Sequence, residues 1–227
     1  MHLDLPIGNQ THVEECFCEK FRKVERSLYS LYSLGCNNNG LNFHTIANIY
    51  KKFCQSIFYY GLETNFIRKQ CLNKINVRQN TLLKNIYGLT KFSRSKALLS
   101  VLNIKSIQQL YEEYKVLFVK QLKRNRLSKE IYEELKKKYN YISNPPKESY
   151  FSIKNSISRK FDVEIDLDMT NKSIDEIIVK ISEAYKLVDE HLIAKLRELI
   201  NKTGSHLYDN RAKMELKLIL TLCYVLY

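Results

Sequence analysis

The chain has 227 residues, 44% of them hydrophobic, with only six glycines and three prolines. This excludes a disordered chain and a turn-rich all-β fold, and leaves material for one or two small domains with real cores. The formal charge of +13 points to a polyanionic partner, nucleic acid before a membrane surface, or else to a basic but inert surface.

The chain opens with HLDLPIG, a short extended piece with a Pro-Ile-Gly turn. A first helix is predicted over residues 11–34, where Val13, Phe17, Phe21, Val24, Leu28 and Leu31 recur in steps of three or four. Gly35 is its expected left-handed stop, and GCNNNG makes a turn. The second predicted helix covers residues 41–63, with Ile46, Ile49, Tyr50, Phe53, Ile57 and Tyr60 as its inward stripe. Within FCQSIFYYGLET this places Phe53, Ile57 and Tyr60 inside, and Phe58 and Tyr59 on flanks suited to helix packing rather than base stacking. Gly61 is the expected C-terminal stop, the alternative being a close-approach point in a helix that continues to Glu63. A catalytic tyrosine is not expected there, because no carboxylate or base accompanies the rings.

A third helix is predicted over residues 65–87. Ile67, Cys71, Ile75, Leu82 and Ile86 share one face, while Arg68, Lys74, Arg78 and Lys84 form a basic flank. After Gly88, the basic loop FSRSK leads into a short helix over residues 94–102, with Ser93 as its candidate cap. Ser106 and Gln109 have capping-box spacing ahead of the next helix, which ends in the cationic run KRNR. An amphipathic stretch follows over residues 128–139.

The segment SNPPK interrupts this pattern, since two prolines do not fit a helix interior. The charge balance also changes there. Residues 1–143 carry 24 Lys and Arg against 11 Asp and Glu, and residues 144–227 carry 13 against 13. The expected organisation is a basic helical domain over 1–143 and a neutral helical region over 144–227. In the second part we expect a helix over residues 148–160, then one extended segment, FDVEIDLDM, which alternates strictly. Ser173 and Glu176 form a second capping box opening a long helix over residues 173–202, which Gly204 closes, and a last helix runs over 206–227. The expected fold class is all-α, a basic bundle followed by a smaller helical segment with at most one short strand.

Signatures of catalysis are absent: there is no P-loop, HExxH, GxSxG or Gly-rich nucleotide fingerprint. Asp166 and Asp168 fall on one side of an extended segment and could hold Mg²⁺, but a solvated acidic face is the simpler reading. His12, Cys16 and Cys18 invite a zinc reading, yet Cys16 and Cys18 point apart on a helix. No metal and no cofactor is therefore expected. The six cysteines lack any CxxC pair and read as reduced, buried thiols of an intracellular protein, in cytoplasm or nucleus and not secreted. The terminal run LKLILTLCYVLY is 12 residues long, short of the roughly 20 a membrane span needs. It reads as a core-facing helix end that stops without a polar tail, as in a truncated chain, and no membrane partner is expected.

Four motifs in order carry a resemblance. HLDLPIG resembles the element that ends the palm of non-LTR, LINE-type retrotransposon reverse transcriptases, with His2 and Asp4 where that family has Tyr and Gly. RSLYSLYSLG followed by FCQSIFYYGLE resembles its paired thumb helices, VRQNTLLKNIYGL its Gln-Asn helix, and SKALLSVLNI the segment that follows. The match covers about residues 2–122 and is nearest to the jockey- and CR1-like elements. It implies a thumb that grips the primer–template backbone behind an active site. The candidate phosphate contacts are then Lys74, Arg78, Lys84, Lys91, Arg94, Lys96, Lys123, Arg124 and Arg126. The polymerase chemistry needs an Asp-Asp box holding Mg²⁺, and no Asp-Asp pair occurs in the chain. The resemblance therefore implies an inactive fragment whose partners are RNA or DNA and the missing palm and fingers. A helical protein–protein interaction module, with its stripe on residues 174–200, or a relic without function are the alternatives.

Overall fold

The structure, a computed structural model, describes residues 8–142, Pro146, 149–186, 190–205, Leu218 and Ile219. It is all-α. Its elements are α1 (Gln10–Ser30), α2 (Phe43–Ile49), a π-helical turn π1 (Tyr50–Cys54), α3 (Ser56–Tyr59), α4 (Lys69–Ile86), α5 (Ser95–Val101), α6 (Ile107–Lys123), α7 (Arg126–Tyr141), α8 (Tyr150–Phe161), α9 (Asn171–Tyr185) and α10 (Glu190–Ser205). No described residue lies in a strand. The opening HLDLPI, most of SNPPK and nearly all of the expected last helix lie outside the described residues.

Two compact units can be distinguished. One comprises Met1–Glu15, Tyr60–Lys69 and Gln108–Tyr185, the other Cys16–Tyr59, Gln70–Ile107 and Lys186–Tyr227. They are interleaved in sequence, and the proline segment at residues 143–147 falls within the Gln108–Tyr185 stretch of the first.

In the second unit, Phe17, Phe21, Val24 and Leu28 of α1 are fully buried, as their helical spacing requires. The turn after α1 uses Gly35 at φ +94°. Gly40 is needed there for a different reason: a Cβ would lie 2.2 Å from the Gly35 carbonyl oxygen. That loop is closed by the Leu41 amide donating to the same oxygen at 2.7 Å.

The segment expected as one regular helix over 41–63 departs from its sequence pattern. Asn42 caps α2, its side chain accepting from the His44 amide at 2.8 Å. The helix then opens: the Gln55 amide donates to the Tyr50 carbonyl at 2.7 Å, a bond spanning five residues. The fully buried residues Ile46, Tyr50, Cys54 and Phe58 recur every four residues. In a regular helix each such step would drift by about 40°, and one wide π turn takes up the excess. Phe58 consequently lies inside, its ring edge-on to Phe17 at 5.6 Å and to Phe21 at 6.1 Å. Phe53 is 64% exposed and Tyr60 42%. The expected inward set of Phe53, Ile57 and Tyr60 is corrected to Cys54 and Phe58, with Ile57 half-buried. Gly61 follows α3 at φ +83°, as expected of a stop.

α4 presents Ile75, Leu82, Leu83 and Ile86 to this core. Gln79 shares that face, and its amide is fully used. It donates to the Tyr50 hydroxyl at 3.2 Å and the Lys105 carbonyl at 3.0 Å, and accepts from the Ile107 amide at 3.2 Å. Gln55 donates to the same Lys105 carbonyl at 3.0 Å. A buried amide is tolerated only when so satisfied. α10 packs on α2 and α5.

In the first unit, a core that includes Val116, Val119, Tyr132, Phe151, Ile157 and Ile174 joins α6 to α9. Ser149 caps α8 by accepting from the Ser152 amide at 3.2 Å, and Asp162 ends it in a left-handed conformation at φ 49°. FDVEIDLDM is extended, with Ile165 and Leu167 buried, but it pairs with no strand among the described residues. α9 starts at Asn171, where Thr170 accepts from the Ser173 amide at 3.1 Å, so Thr170 holds the capping place expected of Ser173. The long helix expected over 173–202 is two elements, α9 and α10. Ile174, Ile177 and Ile181, part of the stripe suspected of docking a partner, belong to the core.

Candidate nucleic-acid interface

The units divide the charge as sharply as residues 1–143 and 144–227 do, but along different segments of the chain. The first unit contains 17 Lys and Arg and 17 Asp and Glu; the second contains 20 and 7. The whole +13 therefore belongs to the second unit, and we call the two neutral and basic. Within Cys16–Tyr59 and Gln70–Ile107 of the basic unit, thirteen Lys and Arg stand against two carboxylates. Both carboxylates are held: Glu19 pairs with Arg22 and Glu25 with Arg78.

Six of the nine candidate contacts lie in the basic unit. Lys74 on α4 and Lys96 on α5 are exposed. Arg78 is half-buried: its Nε donates to Glu25 at 3.1 Å, and its guanidinium stands 5.2 Å from the Phe21 ring. Lys84 donates to the Lys91 carbonyl at 2.9 Å, tying the loop after α4 to the helix. Partial burial lowers the pKa of its amine. Lys91 is exposed, with its amine 4.9 Å from the Phe92 ring. Arg94 occupies the N-cap position of α5 without a side-chain cap bond. Ser93, expected to cap that helix, is buried and shares a 3.2 Å hydrogen bond with the Thr90 hydroxyl.

The other three lie in the neutral unit. Lys123 and Arg124 line a recess of about 290 Å³ with Lys120 and Asn171. Lys120 is bound to Asp175 at 2.5 Å. Arg126 is almost wholly exposed and pairs with Glu130 at 2.8 Å.

Sequence reasoning passed over Lys23, Arg26 and Lys52, all exposed cations of the basic unit. A signal was available: between Glu25 and Glu112 the chain contains a single carboxylate, Glu63. It also passed over the polar interior of the neutral unit. Lys115 is 1% exposed and donates to the carbonyls of Glu63 at 2.9 Å and Asn65 at 2.7 Å. Burial pushes its amine down to about 7. Lys154 donates to the Tyr132 hydroxyl at 3.2 Å, which donates to Asp166 at 3.4 Å, and Lys136 also binds Asp166. Lys160 donates to Glu112 at 2.7 Å and contacts the Tyr185 hydroxyl at 2.9 Å.

Asp166, one of the pair considered for Mg²⁺, is occupied by Lys136, Tyr132 and the Leu167 amide. Among the described residues no three His, Cys, Asp or Glu side chains are grouped to hold a metal. Cys36, Cys54 and Cys71 are buried and Cys16 and Cys18 half-buried, all as reduced thiols. No described helix is long and apolar enough to cross a membrane. No protein-family model, curated protein or solved structure matches the chain.

Proposed function

We propose that the chain grips the sugar–phosphate backbone of nucleic acid through its basic unit, as the thumb of a LINE-type reverse transcriptase grips primer and template. One observation carries this reading: the entire charge excess falls in one compact unit, whose carboxylates between Cys16 and Ile107 are already held by arginines. Such a surface attracts a polyanion by releasing its counterions, without regard to base sequence. Lys74, Lys91 and Lys96 are the foremost phosphate contacts. Polymerisation, and the Mg²⁺ it needs, would belong to a palm. Filter binding to an RNA–DNA hybrid at two salt concentrations tests the reading. Affinity should fall steeply with salt; undetectable or salt-insensitive binding by folded protein overturns it.

A second reading, a helical interaction module, is favoured by a different observation. Leu127, Ile131 and Leu135, spaced four apart, form a stripe on α7 and are each more than half exposed. Sedimentation at several concentrations separates the two, since a salt-resistant self-association that ignores nucleic acid supports the module.

A further inference from the structure

The π turn holds Phe53 outward at 64% exposure, while its neighbours Cys54 and Gln55 are buried. A regular helix through this segment would have carried Phe53 toward the inward face, as its spacing from Tyr50 and Ile57 suggests. Phenylalanine has no hydroxyl to satisfy in water, so its exposure gives the fold no polar contact. Single π turns inside helices recur at functional sites.

The two residues that precede the ring are cations. Lys52 beside it is exposed and Lys51 half-buried. α1 runs antiparallel to this segment, with Phe17 and Phe21 against Phe58 and the Ser27 hydroxyl 3.6 Å from the Cys54 sulfur. The exposed cations Lys23 and Arg26 precede Ser27 on that helix. Residues 26–62 contain no carboxylate side chain. An exposed ring on a basic, carboxylate-free segment matches the pairing of stacking platform and backbone-tracking charge that binds unpaired strands. A paired duplex presents its phosphates but keeps its base faces stacked.

We propose that Phe53 is a stacking platform for an unpaired base, so that the basic unit takes a single strand, or a single-stranded end, at the π turn. This rests on the backbone-gripping reading and adds to it which form of nucleic acid is preferred. The chain has no tryptophan, so Phe53→Trp installs one reporter that can stack in the same place.

The test uses a 20-nucleotide single strand and a 20-base-pair duplex, each at two salt concentrations. Phe53→Ala should weaken single-strand binding by about tenfold, within the range for one lost base stack. Duplex binding and the salt slope should be unchanged, since no charge is removed. Phe53→Trp should keep single-strand affinity, with its emission quenched by the single strand and not by the duplex. If wild-type protein binds both and Phe53→Ala alters neither, or weakens both equally, the stacking proposal is overturned while the backbone reading stands. If folded wild-type protein binds neither, both are overturned together.

Discussion

The basic and neutral units solve the placement of charge in opposite ways. In the neutral unit, cations are matched: Lys160 with Glu112, Lys136 with Asp166, and the buried Lys115 with two carbonyls. In the basic unit the interior is built from rings and aliphatics around the neutral amide of Gln79, and most lysines remain at the surface. Lys115 responds to protons, because burial lowers its pKa. Unmatched surface charges respond to salt and to polyanions. One chain therefore carries a unit whose stability should follow pH and another whose binding should follow ionic strength.

The largest effect that would sharpen this contrast is on the basic core. We predict that Phe58→Ala destabilises the protein by about 4 kcal/mol, the usual cost of deleting a buried aromatic ring. Phe53→Ala, on the same helical segment, should change stability by less than about 0.5 kcal/mol. Urea denaturation measures both, and equal losses would refute the register that π1 imposes.

The next effect belongs to the neutral unit. Folded Lys115 loses its proton near 7, whereas an unfolded lysine does so near 10.4. Between those values the unfolded chain binds more protons, so stability rises with pH. Denaturation at pH 7 and pH 9 should differ by about 2 kcal/mol in favour of pH 9, and Lys115→Met should flatten that difference. An unchanged slope in the variant would show that Lys115 is not its source.

On the binding side, Lys74→Glu with Lys96→Glu should weaken RNA–DNA hybrid binding by roughly tenfold or more. The salt slope should become shallower by about two. Arg124→Glu with Arg126→Glu, in the neutral unit, should cost less. A larger loss from the second pair breaks the assignment of binding to the basic unit. The smallest expected effect is Tyr132→Phe, which removes the hydroxyl between Lys154 and Asp166 and should cost about 1 kcal/mol. No measurable loss would mean the two charges need no bridge.

The legible parts of the fold were those with regular periods. Phe17, Phe21, Val24 and Leu28 follow the helical repeat, and all are buried. The repeat Ile46, Tyr50, Cys54 and Phe58 was equally present in the sequence, but its strict spacing of four asks for a backbone that a 3.6-residue template does not contain. FDVEIDLDM alternates as a strand would, yet a strand needs a partner, and pairing is not a local property. For the candidate site, the excess of charge was legible and its address was not. The basic unit is assembled from separate segments that only the chain's path brings together. Lys115 left a faint trace, four residues after Tyr111 and four before Val119, all three on one buried face of α6.

The π turn also has a bearing on how this chain could change. Such a turn is a helix holding one residue more than its regular form, so one residue can leave without disturbing the flanks. Removing Phe53 would bring Tyr50, Cys54 and Phe58 into steps of three and four, which an ordinary helix accommodates. The same deletion inside α4 would rotate Leu82 and Ile86 away from the core and should not be tolerated. The fold thus keeps, at one place in its helical framework, a residue it could structurally spare, and that residue is the phenylalanine held out in water.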